Sequence, residues 1–527
     1  PLKHTDTQHK PAWVFAALCL LTIVIYFPGL SGDYMFDDMP NLIENPRLEL
    51  DSLSPGSLQG AAFSSGSGML RRPVSMLSFA LNRYFFGIGP YSHKVINLLI
   101  HLLVGIGIYT LTRLVVQGYQ QQREPQLSAT AARWLPVVVS GLWLVHPLNL
   151  TAVLYIVQRM TSLSTLFMVF GLCLYLAGRL RILDGKPGLH LILAGLFGCG
   201  GLAVLSKETG ALLPLYMLVL EMTLFRFRNG TRTLDKPIIT FFIITVALPT
   251  GILLVQIILT ASVPIGGGYG MRDFTLMERL LTEARVVVLY LKWILMPSIS
   301  ELGLYHDDIA LSRGLLDPPT TLYSFMALGG MLLGALLLLG KRPLASLGIL
   351  WFFTGHALES TIFPLEIAHE HRNYLADYGI ILALAALIAQ APLKRMAPVI
   401  RIAAPCLFLL LFSYTTWLRA SQWTDIISHA VYESRHHPQY ARAVYNTGRV
   451  YARLALNGDL EYEDKARNHL LRAAALDEKE IIPYAMLIKY HYYLGRPVDP
   501  AWFDAIASRL STDVLTASTL NSLQALT

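Results

Sequence analysis

AWVFAALCLLTIVIYFPGL, residues 12–30, is the first of many long apolar runs, and YMFDDMP, residues 34–40, follows it after three residues. The apolar run is about long enough to span a bilayer, and no small-residue cleavage site follows it, so we expect an anchor and not a signal peptide. Asp37 and Asp38 stand where the chain would leave the bilayer. Little in a membrane fold requires two carboxylates there, so they form a candidate catalytic site.

The composition is that of a polytopic membrane protein. Of the 527 residues, 54% are hydrophobic and 15% charged, and the mean hydropathy is +0.48. The net charge of +7 comes mostly from short loops between apolar runs, where the positive-inside rule explains it, so nucleic acid is not an expected partner. The cysteines lie in apolar runs without CxxC spacing, which indicates neither a disulfide framework nor a zinc site. They are Cys19, Cys173, Cys199 and Cys406.

Eleven apolar runs predict membrane spans. They cover residues 12–30, 95–115, 134–148, 162–180, 189–205, 211–225, 238–259, 322–339, 344–363, 375–389 and 399–417. Loops rich in Lys and Arg are expected in the cytoplasm. These loops are residues 179–186, 226–236, 341–342 and 394–395, with 113–133 weaker. Alternation of the spans then places the N-terminus in the cytoplasm.

Residues 276–296 resemble a further span but carry several charges. The charged side chains are Glu278, Arg279, Glu283, Arg285 and Lys292. A charged amphipathic helix is more stable at the membrane interface than in hydrocarbon, so we expect this segment to lie in the outer interface or to re-enter it. With that choice the C-terminus is extracytoplasmic.

This topology collects most polar motifs on the outer face. They are Asp37-Asp38, Arg71-Arg72-Pro73, His146-Pro147, Lys207-Glu208, His306-Asp307-Asp308 and His369-Glu370-His371-Arg372. Such groups are unfavourable at membrane depth unless they are paired or functional. Their convergence predicts a site on that face.

Each motif also has a plainer interpretation. The Asp37-Asp38 pair could be a loop or capping pair, although its apolar and rigid neighbours could hold a carboxylate at a desolvated surface as a general base. His93, Asn97 and His101 share one helical face, which fits interhelical hydrogen bonding as well as a substrate groove. Histidines and carboxylates together could bind a divalent metal, but no HExxH or comparable spacing appears, so a metal site is not favoured.

The cationic motifs are open to two interpretations as well. Lys207-Glu208 at the end of a span could be a simple ion pair. Arg372 follows His371 directly before a span. A guanidinium is always charged and binds phosphate oxygens in a fork, which suits a phosphate site, and a snorkelling Arg at a helix end is the alternative.

Several short motifs follow one another along the chain. They are Phe36-Asp37-Asp38 with Asn45-Pro46, Arg72-Pro73-Val74-Ser75 with Leu77-Ser78-Phe79, His93 with Asn97 and His101, His146-Pro147 with Arg159, Ser206-Lys207-Glu208, His306-Asp307 and Glu370-His371-Arg372-Asn373-Tyr374-Leu375. This order, over about residues 30–380, resembles the TMTC-type protein O-mannosyltransferases and their bacterial relatives. Those enzymes are GT-C membrane glycosyltransferases, which use polyprenyl-phosphate-linked sugars. The family often has Thr-Glu after the His-Pro pair, where this chain has Asn149-Leu150-Thr151-Ala152.

The resemblance implies an all-α GT-C bundle of eleven spans in residues 1–418, with residues 31–92 as the first extracytoplasmic loop. It implies that Asp37 is the base, supported by Asp38, in a single inverting displacement. Arg372, with Lys207 and Arg72, would hold the phosphate of the lipid-linked sugar. The substrate-binding candidates are His93, His146, Glu208, His306 and His371.

Residues 419–527 are richer in polar side chains and predict a small α-solenoid. Helical patterns cover residues 440–456, 463–476 and 480–494. Small and aromatic residues in the first two patterns fit a tetratricopeptide-type helix pair. They are Tyr445, Gly448, Tyr451, Ala452, Ala466, Leu470 and Ala473. Such a domain could dock a protein acceptor, and a stabilising cap is an equal alternative.

The leading hypothesis is a sugar transferase of the inner membrane that acts on its periplasmic face, with membrane lipids, a polyprenyl-phosphate sugar and a protein acceptor as partners. A transferase acting on lipid A or a polysaccharide differs only in the acceptor. A non-catalytic scaffold or a transporter is the third reading. Clustering of ionisable groups at one surface, without an inverted repeat of interrupted spans, argues against a transporter.

Overall fold

A computed structural model of the chain describes residues 6–122, 127–260, 269–391, 398–512 and 523. Of the residues that it describes, 75% are helical. Within the described residues there is no β-strand, and only two isolated β-bridges occur. The predicted all-α class is therefore confirmed.

In its described part, the first half of the chain contributes twelve α-helices, of which α4 is the longest. They are α1 (Asp6–Tyr26), α2 (Pro55–Ala62), α3 (Pro73–Phe86), α4 (Pro90–Gln122), α5 (Ala129–Leu144), α6 (Thr151–Leu154), α7 (Arg159–Leu183), α8 (Leu189–Leu193), α9 (Gly200–Ser206), α10 (Leu213–Leu220), α11 (Lys236–Phe242) and α12 (Leu248–Thr260). Helix α4 packs against α5 and α7.

The second half adds five helices to the bundle and five to the tail. The bundle helices are α13 (Leu276–Leu295), α14 (Thr320–Leu338), α15 (Pro343–His356), α16 (Ala376–Gln390) and α17 (Pro398–Gln422). The tail helices are α18 (Ile426–His436), α19 (Ala441–Leu456), α20 (Glu463–Leu476), α21 (Ile482–Tyr493) and α22 (Pro500–Thr512).

Eight helical segments of the described chain are long and apolar enough to cross a membrane, and a pair bent by 51°, Ala129–Leu144 with Pro147–Leu154, would make a ninth. The eight are Lys10–Ser31, Pro90–Gln122, Ile156–Leu183, Leu189–Ser206, Glu208–Phe225, Lys236–Gln256, Thr320–Leu338 and Val399–Gln422. These nine coincide with nine of the predicted spans. The other two predicted spans fall on the shorter helices α15 and α16. The predicted class of polytopic membrane protein is confirmed.

Helices α15 and α16 form a tight inner pair. A Cβ on Gly348 would lie 2.1 Å from the Gly379 carbonyl oxygen, and a Cβ on Gly379 would lie 2.3 Å from the Gly348 oxygen. Only glycine lets the two backbones approach this closely. Trp351 Nε1 also donates to the Leu375 carbonyl at 2.9 Å. The pair thereby fixes the segment between its helices, residues 357–375, which carries the His369–Arg372 motif.

The tail agrees with the predicted tetratricopeptide-like solenoid. The three predicted helices begin and end within two residues of α19, α20 and α21. Helix α19 packs on α20 at Gly448, where a Cβ would lie 2.9 Å from Leu470 Cγ. The structure adds α18 and α22, and α17 runs to Gln422, four residues past the boundary predicted at 418.

Candidate active site

The acidic loop, residues 31–38, turns sharply at Phe36, whose φ of 44° lies in the left-handed region. A bulky residue adopts this conformation only where its surroundings impose it. The turn sends the two carboxylates in different directions. Asp38 is buried, with 1% of its surface exposed, whereas Asp37 is accessible to solvent.

Asp38 fastens the loop to the bundle. Its Oδ2 accepts a hydrogen bond from the Met35 N–H at 3.0 Å, and its Oδ1 accepts one from the Val157 N–H at 2.7 Å. Burial raises the pKa of Asp38 to about 7, while these hydrogen bonds and the Lys94 cation oppose the rise. Because both carboxylate oxygens accept hydrogen bonds from the backbone, Asp38 holds the acidic loop in place.

Asp37 lies at the surface of the site, beside Tyr155. Its backbone N–H donates to Tyr155 Oη at 3.0 Å. Desolvation raises the pKa of the Asp37 carboxyl above its ordinary value, Glu366 raises it further, and Tyr155, Arg442 and Arg72 lower it. A raised pKa makes a solvent-accessible carboxylate a better proton acceptor, and the role of Asp37 as the base stays a prediction.

Arg159 organises several of the predicted motifs into a support for this loop. Its guanidinium lies 4.5 Å from the Phe79 ring centroid and donates to Asn97 Oδ1 at 2.6 Å and Asn82 Oδ1 at 2.8 Å. It also donates to the His93 carbonyl at 3.0 Å. Asn97 in turn holds the turn before α7, donating to the carbonyls of Val153 at 3.0 Å and Ile156 at 3.2 Å. That turn carries Tyr155 and Val157, the partners of the two aspartates.

A second strained turn presents Arg72. The φ angles of Arg71 and Arg72 are 58° and 49°, again left-handed. Arg72 Nη2 lies 2.9 Å from Glu208 Oε2, and its Nη1 donates to Met160 Sδ at 3.3 Å. The structure therefore brings the predicted residues Arg72 and Glu208 together as an ion pair.

Lys207 and Arg372 belong to the same charged region. Lys207 Nζ lies 3.0 Å from Glu359 Oε1 and donates to Thr161 Oγ1 at 3.1 Å. Arg372 Nη1 donates to the Ile367 carbonyl at 2.8 Å and lies 3.8 Å from Glu283 Oε1. Its buried Nε has no hydrogen-bond partner among the described residues.

His371 lies among these three cations. Burial lowers the pKa of His371 well below its ordinary value, and Lys207, Arg372 and Arg72 lower it further. The imidazole is therefore neutral at physiological pH. Arg72 is placed near the acidic loop by the start of α7, since Met160 accepts from Arg72 and Tyr155, in the turn before this helix, accepts from the Asp37 N–H. Three cations around a neutral imidazole form an environment suited to phosphate oxygens.

The other predicted histidines are buried; protein groups bind His93 and His146, whereas His306 Nε2 has no hydrogen-bond partner among the described residues. His93 Nδ1 lies 3.1 Å from the Gly89 carbonyl and 3.4 Å from the Tyr34 hydroxyl of the acidic loop. His146 uses both ring nitrogens on backbone, Nε2 at 3.0 Å from the Ile294 carbonyl and Nδ1 accepting from Leu148 N–H at 3.2 Å. His306 packs on Trp293, and its Nε2 lies 4.0 Å from Glu370 Oε1. Their roles in substrate binding remain predictions.

Sequence reasoning missed several residues of this region. They are Tyr155, Glu359, Glu366, Arg419 and Arg442. Glu359 falls within a predicted span, and an ionisable group in such a position is a signal of function. Arg419 follows the last predicted span and forms a buried ion pair with Glu370 at 3.0 Å. Among the described residues, no group of three or more His, Cys, Asp or Glu side chains could hold a metal ion.

The fold and the site define a polytopic helical membrane protein with an accessible carboxylate beside a cluster of cations. The chain is similar to protein O-mannosyl-transferases of the TMTC type, as its motifs predict. It is 26% identical over 210 residues to TMTC4 of Mus musculus, covering 38% of this chain and 28% of the relative. It is 28% identical over 219 residues to TMTC1 of Mus musculus, covering 38% and 21%.

A longer match is to the protein O-mannosyl-transferase F38B6.6 of Caenorhabditis elegans. The two are 24% identical over 470 residues, which is 84% of this chain and 61% of the relative. The chain thus spans less than two thirds of the length of these relatives. No family model and no solved structure matches the chain.

Proposed function

We propose that this protein is a glycosyltransferase that moves a sugar from a polyprenyl-phosphate donor to a Ser or Thr hydroxyl of a protein. Mannose is the sugar that the names of the relatives indicate. The observation that carries the proposal is that one short stretch, residues 155–161, contacts both parts of the site: Tyr155 binds the backbone of Asp37, Met160 accepts from Arg72, and Thr161 accepts from Lys207. A base and an anion-binding cluster thereby border the same region.

The reaction needs one proton transfer and one displacement. Asp37 takes the proton of the acceptor hydroxyl while the oxygen attacks the anomeric carbon and inverts it. The bond from that carbon to the phosphate oxygen breaks, and the polyprenyl phosphate leaves with the electron pair. Arg372, Lys207 and Arg72 stabilise the negative charge that grows on the leaving phosphate. His93, His146, Glu208, His306 and His371 are proposed to contact or support the substrates.

The proposed location is the inner membrane, with the N-terminus cytoplasmic and the site and tail periplasmic. A periplasmic reporter fused directly after Gln422 tests this orientation. We expect an active reporter, because the positive-inside rule orients the loops that way. Activity of a cytoplasmic reporter at the same position would contradict it.

The catalytic proposal is tested by Asp37→Asn. We expect loss of at least about 100-fold of transfer from polyprenyl-phosphate mannose, the scale of a lost general base. The control is Asp51→Asn, which changes an exposed carboxylate of the same extracytoplasmic loop. Intact-mass spectra of surface proteins from cells with each variant identify the acceptor and the mass transferred. Full transfer by the Asp37→Asn variant would refute the assignment of Asp37 as the base. Modified lipid or polysaccharide without modified protein would show that the acceptor is not a protein.

A further inference from the structure

The tail packs directly on the loops that form the site. Leu304 N–H donates to both carboxylate oxygens of Glu433 at 3.3 Å, and the Tyr432 hydroxyl donates to the Ile299 carbonyl at 3.1 Å. On the acidic loop, Asp33 Oδ2 accepts from the Ile426 N–H at 3.3 Å. Helix α18 is therefore attached to both the acidic loop and the loop before α14.

Arg442, in the first turn of α19, adds contacts to Asp307 and Glu366. Its backbone N–H donates to Asp307 Oδ2 at 3.0 Å, and its Nη1 lies 3.2 Å from Glu366 Oε2. The other oxygen of Glu366 lies 2.9 Å from Arg272 Nη1. Glu366 thus bridges one cation from the bundle and one from the tail, and these cations hold its pKa at about 2. It remains charged at every physiological pH.

The acidic loop touches the same junction. The Phe36 ring packs edge-on against Tyr305, with ring centroids 5.5 Å apart. Tyr305 lies between Leu304, which is bound by Glu433, and His306, and it interacts electrostatically with Arg442. The residue before Asp37 is thus in contact with the loop that the tail holds.

We propose that Arg442 is a positioning residue for the transfer reaction, supplied by the tetratricopeptide-like domain and held by Asp307 and Glu366 at the junction that the acidic loop contacts through Phe36. The domain is then a structural part of the active site, whatever acceptor it also docks. This inference rests on the proposed function of Asp37.

The direction in which the pKa of Asp37 shifts depends on the charged and titratable groups that act on it. They are Asp38, Tyr155, Arg72, Glu366 and Arg442. Arg442 lowers the pKa of Asp37 and Glu366 raises it. Removing the cation therefore moves the acidic limb of the pH–rate profile to higher pH. Removing the carboxylate charge moves it to lower pH.

The test compares Arg442→Met, Arg442→Lys and Glu366→Gln in the full chain, with synthetic polyprenyl-phosphate mannose as the donor and a Ser/Thr-rich peptide library as the acceptor. We expect Arg442→Met to move the acidic limb of the pH–rate profile to higher pH by roughly half a unit. Glu366→Gln should move it to lower pH by a similar amount. Arg442→Lys should restore the wild-type limb. Arg453→Met, an exposed position of the same helix, is the matched control and should change nothing.

The outcomes separate this inference from the proposed function. If the wild-type protein transfers sugar and the Asp37→Asn variant does not, the assignment of Asp37 as the base is supported. The positions of the acidic limbs of the pH–rate profiles then decide the role of Arg442. Unchanged limbs in the Arg442→Met and Glu366→Gln variants, with or without a fall in rate, would overturn the positioning role, because a purely structural contact does not move a titration. Absence of transfer by the wild-type protein would instead refute the proposed function.

Discussion

Two buried charge clusters lie at opposite ends of α7 and differ in how completely they are satisfied. At the C-terminal end, Arg179 donates to both oxygens of Glu221 at 2.8 and 2.9 Å and to Asp235 at 3.0 Å. Glu221 also accepts from Tyr175 and from the Phe227 N–H. One cation faces two carboxylates, and every nitrogen of its guanidinium has an acceptor.

The other cluster lies near the start of α7, roughly 30 Å away by the helical rise. Thr161 of α7 holds Lys207 there, and the neighbouring cations Arg72 and Arg372 each pair with a single carboxylate from a different element. Arg372 keeps one buried nitrogen without a partner among the described residues, and Arg72 has a left-handed backbone. Burial alone therefore does not mark a site. Left-handed backbone occurs in both clusters, at Arg72 in one and at Phe227 in the other. The unsatisfied donor of Arg372 is therefore what distinguishes the proposed functional cluster from the structural one.

The first prediction concerns the structural cluster and has the largest expected effect. Arg179→Met leaves Glu221 and Asp235 buried without their cation, which should lower the free energy of unfolding by about 3–5 kcal/mol. Thermal unfolding in detergent, followed by far-UV circular dichroism, measures it. Arg181→Met, at an exposed position of the same helix, is the control. Loss of transfer in a stable Arg179 variant would contradict the structural role.

The second prediction concerns the functional cluster. Arg372→Ala should reduce kcat/KM for polyprenyl-phosphate mannose about 100-fold, because a preorganised donor to the leaving phosphate is lost. Arg372→Lys should recover part of the loss through its charge but not the fork geometry. Arg47→Ala changes an exposed Arg between α1 and α2 and should have wild-type kinetics. A rise only in the KM for the acceptor would remove Arg372 from the phosphate site.

Apolar runs alone located the helices of the bundle, since each predicted span overlaps a helical segment. The helical pattern of the tail located α19, α20 and α21. Bilayer crossing requires length and hydrophobicity, which a sequence displays directly. The end of α15 was less accessible, because the apolar run continues to residue 363 whereas the helix ends at His356. The close approach of α15 and α16 at Gly348 and Gly379 depends on the packing of two backbones and was not predicted either.

The site was only partly predictable for a similar reason. Adjacent aspartates look equivalent in sequence, and the turn at Phe36 gives them different surroundings. Tyr155 has no local motif, and its contact with Asp37 depends on the support that Arg159 gives to the turn before α7. Arg442 lies in the tail, and its approach to Glu366 is fixed by tertiary packing.

The third prediction tests that hidden support. Tyr155→Phe removes the hydroxyl that accepts from the Asp37 N–H and should lower kcat about tenfold, the scale of one hydrogen bond. Because Tyr155 lowers the pKa of Asp37, its loss should also move the acidic limb of the pH–rate profile to higher pH. Tyr91→Phe changes an exposed tyrosine and serves as the control. A lower kcat with an unmoved limb would mean that Tyr155 only stabilises the fold.

The smallest expected effect is at Gly68, which has a left-handed backbone and lies against the carboxylate of Glu208. Its φ is 77°, and a Cβ there would lie 1.8 Å from Glu208 Oε1. Gly68→Ala should therefore push Glu208 away from Arg72 and cost about 1 kcal/mol, or roughly fivefold in kcat/KM. Gly66→Ala is a close control, because a Cβ at Gly66 meets nothing within 4 Å.

Glu208→Gln separates the two contributions at Gly68, because it weakens the ion pair with Arg72 without straining the backbone. If Gly68→Ala and Glu208→Gln reduce kcat/KM equally, the orientation of Arg72 accounts for the effect. If only Gly68→Ala reduces it, the left-handed turn through residues 68–72 is itself required. In either case the functional cluster should respond in catalysis to a change too small to alter unfolding strongly, whereas the Arg179 cluster should respond in unfolding alone.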